Sequence, residues 1–285
     1  MIYVGTCGYA YKDWVGPFYP PTTKAGEMLG YYAARFAAAE IDASYYGVPA
    51  ASTIGSMNAR TPAAFRFTFK APQSVTHAPE SRARVHDDAR LLRERLEPLR
   101  ISGKLAAVLL QFPNGFKPSV PNELYLREVA AAFTGLALVA EFRHRLWQNA
   151  ATLALLTDLG IGWANVDMPA HETLMLPSSD ASSRVGYVRF HGRNAAQWWT
   201  GDNVTRYDYD YAPDELESWA GRIAEIDERT DDVFAFFNNH ARGSAARNAE
   251  LLEAMLVERY ACAAAGKVAR STGVVPMQDA LPGFD

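Results

Sequence analysis

The chain is poor in cysteine, with two in 285 residues, Cys7 and Cys262. That excludes a disulfide framework and a cysteine-rich zinc site, and both residues read as small buried apolar groups. Long apolar runs are also missing. The longest, such as residues 105–110, falls far short of the roughly 20 residues that cross a bilayer. An apolar strand begins at Ile2, which leaves no room for a signal peptide. The expectation is a soluble, cytoplasmic protein with no membrane partner. Positive charge is not in excess: the net charge is −4 and the pI about 5.9. No global field therefore draws the chain to nucleic acid. No linker or composition shift divides the sequence. It lacks a Gly-x-Ser-x-Gly elbow, a complete Walker-type loop and a His-Glu-x-x-His zinc motif.

What the sequence does have is a repeated alternation of short apolar runs and amphipathic stretches. Strands are expected at residues 2–7, 40–44, 65–70, 105–112, 137–143, 161–166, 185–190 and 233–237. The third is the plainest, with Phe65, Phe67 and Phe69 alternating against Arg66, Thr68 and Lys70. Helices are expected at 27–38, 50–60, 80–99, 122–133, 147–159, 213–229 and 244–260. Asn122 is placed to cap one of them and Gly160 to end another. Residues 169–183 show no helical period, so one crossover should be degenerate. Strict β–α alternation with apolar strands predicts a parallel sheet. Eight units predict an α/β fold of one domain: a single (β/α)8 TIM-type barrel over 1–265, followed by a C-terminal tail over 266–285. An open doubly wound sheet is the alternative. It would carry a Gly-rich phosphate turn after its first strand, and Gly5-Thr6-Cys7-Gly8 lacks that spacing.

In a barrel one face of each strand looks inward. The apolar faces of Phe65, Phe67, Phe69, Val188 and Phe190 should meet the helices. The inward set is then Glu40, Asp42, Ser44, Lys70, Gln111, Glu141, Arg143, Asn165, Asp167, Arg189, His191 and Asn238 or Asn239. These cluster at the C-terminal strand ends, where barrel sites lie. Any one pair could be a neutralising salt bridge, but the convergence of so many ionisable groups is a functional signature. Glu141 with Glu40 suits acid/base work, His191 a proton shuttle, and Lys70 a buried amine or anion holder. Arg143, Arg189 and Arg193 offer fork-shaped donors for an anion. A phosphate site is expected after strands seven and eight, with Ser244 starting a helix that faces it. Gln111, Asp167, Asn238, Asn239, His77 and Tyr46 complete the expected contact set. Two aromatic loops, Tyr9 to Tyr19 with Trp14, and Trp198 to Tyr211, follow strands one and seven; each is either a packed mini-core or a wall and lid. His77, Glu141, Asp167 and His191 are eligible metal ligands without ligand spacing, so no metal is expected and no cofactor is named.

Several ordered motifs carry a resemblance. They are Gly5-Thr6-Cys7-Gly8-Tyr9 with Trp14 and Phe18-Tyr19-Pro20, Glu40-Ile41-Asp42-Ala43-Ser44-Tyr45-Tyr46, and Phe69-Lys70 with Thr76-His77. Further on come Gln111-Phe112-Pro113, Glu141-Phe142-Arg143-His144 with Trp147, and Asp167-Met168-Pro169. Tyr187-Val188-Arg189-Phe190-His191-Gly192, Tyr207-Asp208-Tyr209 and Phe237-Asn238-Asn239 complete them. Together they resemble the YecE-like family, domain-of-unknown-function family 72, from about Ile2 to Tyr260. The resemblance implies a TIM-type barrel and supplies no reaction.

The leading functional expectation is an enzyme that binds a small anionic or phosphorylated ligand at the C-terminal face of the barrel, with Glu141 as acid or base. A nucleic-acid-binding or phosphodiester-cleaving barrel, with Arg193, Arg206 and Arg242 on phosphates, is one alternative. A non-catalytic ligand-binding protein is the other.

Overall fold

The structure is a computed structural model that describes residues 1–77, 81–202 and 204–260. The expected tail at 266–285 lies outside the described residues. Eight parallel strands close into a barrel in chain order: β1 (Ile2–Cys7), β2 (Ala38–Ile41), β3 (Arg66–Lys70), β4 (Leu105–Gln111), β5 (Leu138–Glu141), β6 (Ile161–Asp167), β7 (Val185–Phe190) and β8 (Asp232–Phe237). The seam between β1 and β8 is fully registered, from Ile2 opposite Val233 to Thr6 opposite Phe237. The helices that cover it are α1 (Met28–Ala33), α2 (Ala51–Ala59), α3 (Gln73–Thr76), α4 (Arg82–Ile101), α5 (Val120–Ala132), α6 (Ala150–Leu159), α7 (Pro213–Asp227) and α8 (Ser244–Tyr260).

Two cores follow from strand alternation. The outer one lies between strands and helices and holds Phe67, Phe69, Ala140, Val188 and Phe190 together with Leu92, Leu156, Trp219 and Leu252. The small inner one fills the base of the barrel with Tyr3, Ala107, Leu109, Val139, Ala164, Tyr187, Phe234 and Phe236. Tyr3 stacks on Phe234 at 4.8 Å. Above that plug the inward positions turn polar, and the site begins there. Gly5 lets β2 approach: a Cβ at that position would sit 2.2 Å from the Ala38 carbonyl oxygen.

Several expected boundaries move. The helix expected at 27–38 stops at Ala33, and β2 occupies 38–41 rather than 40–44. The Tyr32 hydroxyl explains the early stop. It binds Thr6 and donates to the Ala38 carbonyl, tying the chain to β1 as it enters β2. Asp42 and Ser44 therefore sit on a single 3-10 turn after β2, with the Ser44 hydroxyl bound to the Ile41 and Lys70 carbonyls. Arg143 lies two residues past the end of β5. The helix expected from Asn122 begins at Val120, capped by Ser119. Gly160 does end α6, in the left-handed conformation at φ 65°.

The crossover between β6 and β7 has no helix. Asn165 replaces it as an anchor: its side-chain amide donates to the Asp180 carbonyl and accepts from the Asp180 amide and the Ser178 hydroxyl. Asn165 thus points outward, which corrects its expected inward placement. So does Asp167. The cause is visible in β6 itself, where bulky Ile161 and Trp163 face the helices and small Gly162 and Ala164 face the crowded interior. Asn165 and Asp167 continue the outward phase.

Candidate functional site

At the C-terminal ends of the strands, a guanidinium stands upright in the barrel axis. Arg189, on the inward face of β7, is 1% exposed. Its Nη1 donates to Glu141 Oε2 at 2.6 Å and its Nη2 to Glu40 Oε1 at 2.5 Å. The same Nη2 lies 3.5 Å from Asp42 Oδ1 and 3.4 Å from Cys7 Sγ. Cys7, Glu40 and Asp42 are the described ligand-type groups that lie close enough together to hold a metal ion. Their shared contact is instead this one nitrogen, so the trio is a guanidinium nest and its donor set does not fit a metal without displacing Arg189.

The two central carboxylates differ. Burial works against ionisation of Glu141, but Arg189, Arg143 and His191 together hold it well below the usual carboxylate range. For Glu40, burial outweighs the pull of Arg189, and nearby Asp42 adds to it, so its carboxyl is pushed up to about 7. The Tyr187 hydroxyl donates to its second oxygen at 2.6 Å. His191 is fully buried, and that burial, with Arg143 nearby, lowers it to about 3. It is a neutral ring. The Asn238 amide nitrogen lies 3.1 Å from Nδ1, which assigns the proton to Nε2, 3.1 Å from Glu141 Oε1.

Of these groups, Arg189, Asp42, Arg143 and Asn238 border a cavity of about 430 Å3. Lys70, Arg143, Arg189 and Arg206 line it, with Asp42 as the only carboxylate on its wall among the described residues. His77, Gln111 and Asn238 line it too, and Tyr46, 76% exposed, stands at the rim. Lys70 Nζ lies over the Tyr45 ring at 4.3 Å. Among the described residues it has no ion pair, and neither does Arg206. Arg143 Nε lies 2.7 Å from Glu141 Oε1 but out of line for a hydrogen bond. The Nε atoms of Arg189 and Arg206 are also buried with no acceptor among the described residues. Burial, with Lys70 and Arg143 close by, lowers His77 to about 4, so it enters as a neutral ring.

Other expected site residues are placed elsewhere. Asp167 accepts from Trp219 Nε1 and the Tyr211 hydroxyl, each at 2.7 Å, and takes a fork from Arg193. Arg193 also reaches Glu215. Asn239 continues the outward phase of β8 and donates to Asn248 and the Tyr209 carbonyl. After strands seven and eight, Asn194 binds loop carbonyls and Ser244 accepts from Arg247. Trp14 is buried as a seam, donating to the His240 carbonyl at 2.7 Å among Tyr11, Phe18 and Tyr19. Tyr9 lines a neighbouring chamber instead. Arg242 is paired with Asp208, as Arg193 is with Asp167.

Tyr11 and Tyr207, on loops expected to be either a mini-core or a wall and lid, and Arg206, expected at the rim, line the cavity; sequence reasoning missed Tyr45 and His240 as its walls. Their loops carried the signal of clustered aromatics but no periodicity to orient them. Gly192 turns the chain into the second loop at φ 82°, where a Cβ would strike Tyr209. Trp198 and Tyr207 then pack over His191, at 6.4 and 6.0 Å.

The carboxylate pair makes a pH prediction. Glu40 has its folded value, about 7, above its ordinary 4.5. Its contribution to stability is fully present below the lower value and is lost as pH rises through the upper one, on the order of 3 kcal/mol in all. Glu141 has the opposite sign: its contribution is present above the ordinary value and is lost as pH falls. Melting midpoints from about pH 2 to 8 should show Glu40→Gln flattening the neutral limb and sparing the acid limb, and Glu141→Gln flattening the limb below its ordinary value and sparing the neutral one.

A closed parallel barrel with a cationic cavity at its C-terminal strand ends defines the class: a TIM-type barrel protein with its candidate site at the usual face. The chain belongs to the family described as "Protein of unknown function DUF72", whose profile matches residues 3–271. It is 32% identical over 277 residues to UPF0759 protein YunF of Bacillus subtilis, covering 90% of this chain and 96% of that one. Among solved structures it is similar to a DUF72 family protein from Thermotoga maritima, at 35% identity and a TM-score of 0.84, over 90% of this chain and all of the other. A DUF72 family protein from Enterococcus faecalis matches at 25% identity and a TM-score of 0.78, covering 90% and 95%.

Proposed function

We propose that the cavity binds a small organic anion, with a phosphate group as the best fit, and that the protein is an enzyme acting on it. One observation carries this reading. Lys70, Arg143, Arg189 and Arg206 line one cavity, and among the described residues neither Lys70 nor Arg206 has a carboxylate partner. A multi-oxygen anion supplies the acceptors and the negative charge that such a cluster lacks. The charge balance agrees. Four cations face three carboxylates, Glu40, Asp42 and Glu141, and burial disfavours the charged form of Glu40.

In this reading Arg143, Lys70 and Arg206 hold the anion, and Arg189 is the buttress beneath them. Glu141 keeps the guanidinium groups in place. Glu40 lies beneath the wall, bound to Arg189 and Tyr187, and sets the charge of the site, while Asp42 is the wall carboxylate within reach of a ligand for acid/base work. Gln111, Asn238 and the neutral His77 orient the rest of the ligand.

Calorimetric titration with inorganic phosphate and a sugar phosphate tests this. Each of Lys70→Ala, Arg143→Ala and Arg206→Ala should weaken binding tenfold or more, since a charge-assisted hydrogen bond contributes about 1.5–3 kcal/mol. Unchanged affinity in all three would remove the anion from this cavity.

A further inference from the structure

Beside the cationic cavity lies a second chamber of about 450 Å3, between the β1–α1 loop and α2. Its walls include Ile41, Pro49 and Met57, and among the described residues no lysine, arginine or histidine lines it. Tyr11 shows it a ring rather than a hydroxyl, because that hydroxyl already donates to the Cys7 carbonyl at 2.6 Å. The two chambers share two residues, Tyr11 and Asp42. Asp42 thus borders both the cationic cavity and the apolar chamber, and its carboxylate can accept a hydrogen bond from an uncharged hydroxyl of a ligand that reaches both.

We propose that the apolar chamber is a second subsite of the same ligand, so that the substrate class is a phosphate ester of an apolar, ring-bearing alcohol. The inference rests on the anion-binding reading above. The phosphate sits against Arg143 and Lys70, Asp42 orients the molecule, and the ring lies against Tyr11 and Met57. Each chamber alone is within the size range of small-molecule sites, and the pair is too large for a phosphate or a triose phosphate to fill. A subsite of this kind gives a ligand its affinity through apolar area removed from water, independently of charge.

The test is a titration of the full chain with inorganic phosphate, phenyl phosphate and naphthyl phosphate, repeated on Thr53→Trp. Thr53 lines the chamber from the exposed face of α2, away from the barrel. The expected result is a gain of at least tenfold, about 1.4 kcal/mol, from inorganic phosphate to naphthyl phosphate. That gain should vanish in Thr53→Trp, while inorganic phosphate binds the variant as it binds the parent. Equal affinity for all three in the parent, or a gain that survives Thr53→Trp, overturns the second subsite and leaves the anion site standing. Failure of every phosphate to bind overturns both.

Discussion

Arg189→Met lowers the melting midpoint by on the order of 10 °C. Among the described residues the side chain is the only cation that touches both Glu40 and Glu141, and all three are buried. Removing one partner of a buried ion pair leaves an uncompensated charge and costs about 3–5 kcal/mol. In a chain this size each kcal/mol moves the midpoint by roughly 2–4 °C. Arg189→Lys should recover little, since one ammonium cannot fork to two carboxylates on opposite sides of the barrel. A compensating change should recover more: Arg189→Met with Glu40→Gln removes the stranded carboxylate together with its partner and should melt above Arg189→Met alone. If Arg189→Met melts within a degree or two of the parent, the triad is not the structural centre of the barrel mouth.

Asp167→Ala should have an effect of similar size for a different reason. The carboxylate is fully buried and accepts from Trp219, Tyr211 and Arg193. Its loss strands an indole N–H, a phenol and part of a guanidinium inside the protein, again about 3–5 kcal/mol. The Tyr211 hydroxyl also accepts from the Gly192 amide, so Asp167 fixes both ends of the 192–211 loop. That loop delivers Arg206 and Tyr207 to the cavity. Asp167→Ala should therefore lower anion affinity without touching the ligand, and should open the loop to limited proteolysis. Unchanged cleavage within 192–211 would mean that Trp198 and Tyr207 hold the loop by packing alone.

Much of this architecture was legible beforehand, because a parallel barrel repeats one simple instruction. Apolar strands, amphipathic helices and polar strand ends placed Glu40, Lys70, Glu141, Arg189 and His191 on the inward face, where they are. The phase of β6 was legible too, in the size contrast of Ile161 and Trp163 against Gly162 and Ala164. It was misread because Asn165 and Asp167 look like site residues, and polarity was given more weight than volume. Asn239 failed in the same way: β8 alternates Phe236 inward and Phe237 outward, so Asn238 and Asn239 must part. The choice between packed mini-core and cavity wall was not legible. Tyr11, Arg206 and Tyr207 sit on loops whose direction is set by distant contacts, such as Trp14 on the His240 carbonyl and Arg193 on Asp167. Local sequence carries no record of those partners.

The central claim is that four cations at the mouth of the barrel form an anion site. The most direct test is a thermal-shift comparison of the parent chain with phosphate esters and with uncharged sugars of matching size. A phosphate ester at about a hundred times its dissociation constant adds roughly 2.7 kcal/mol of stability, and should raise the midpoint by several degrees. The account predicts that rise for phosphate esters, none for the neutral sugars, and its loss in Arg143→Ala. A rise with neutral sugars alone, or none with any phosphate ester, would contradict it.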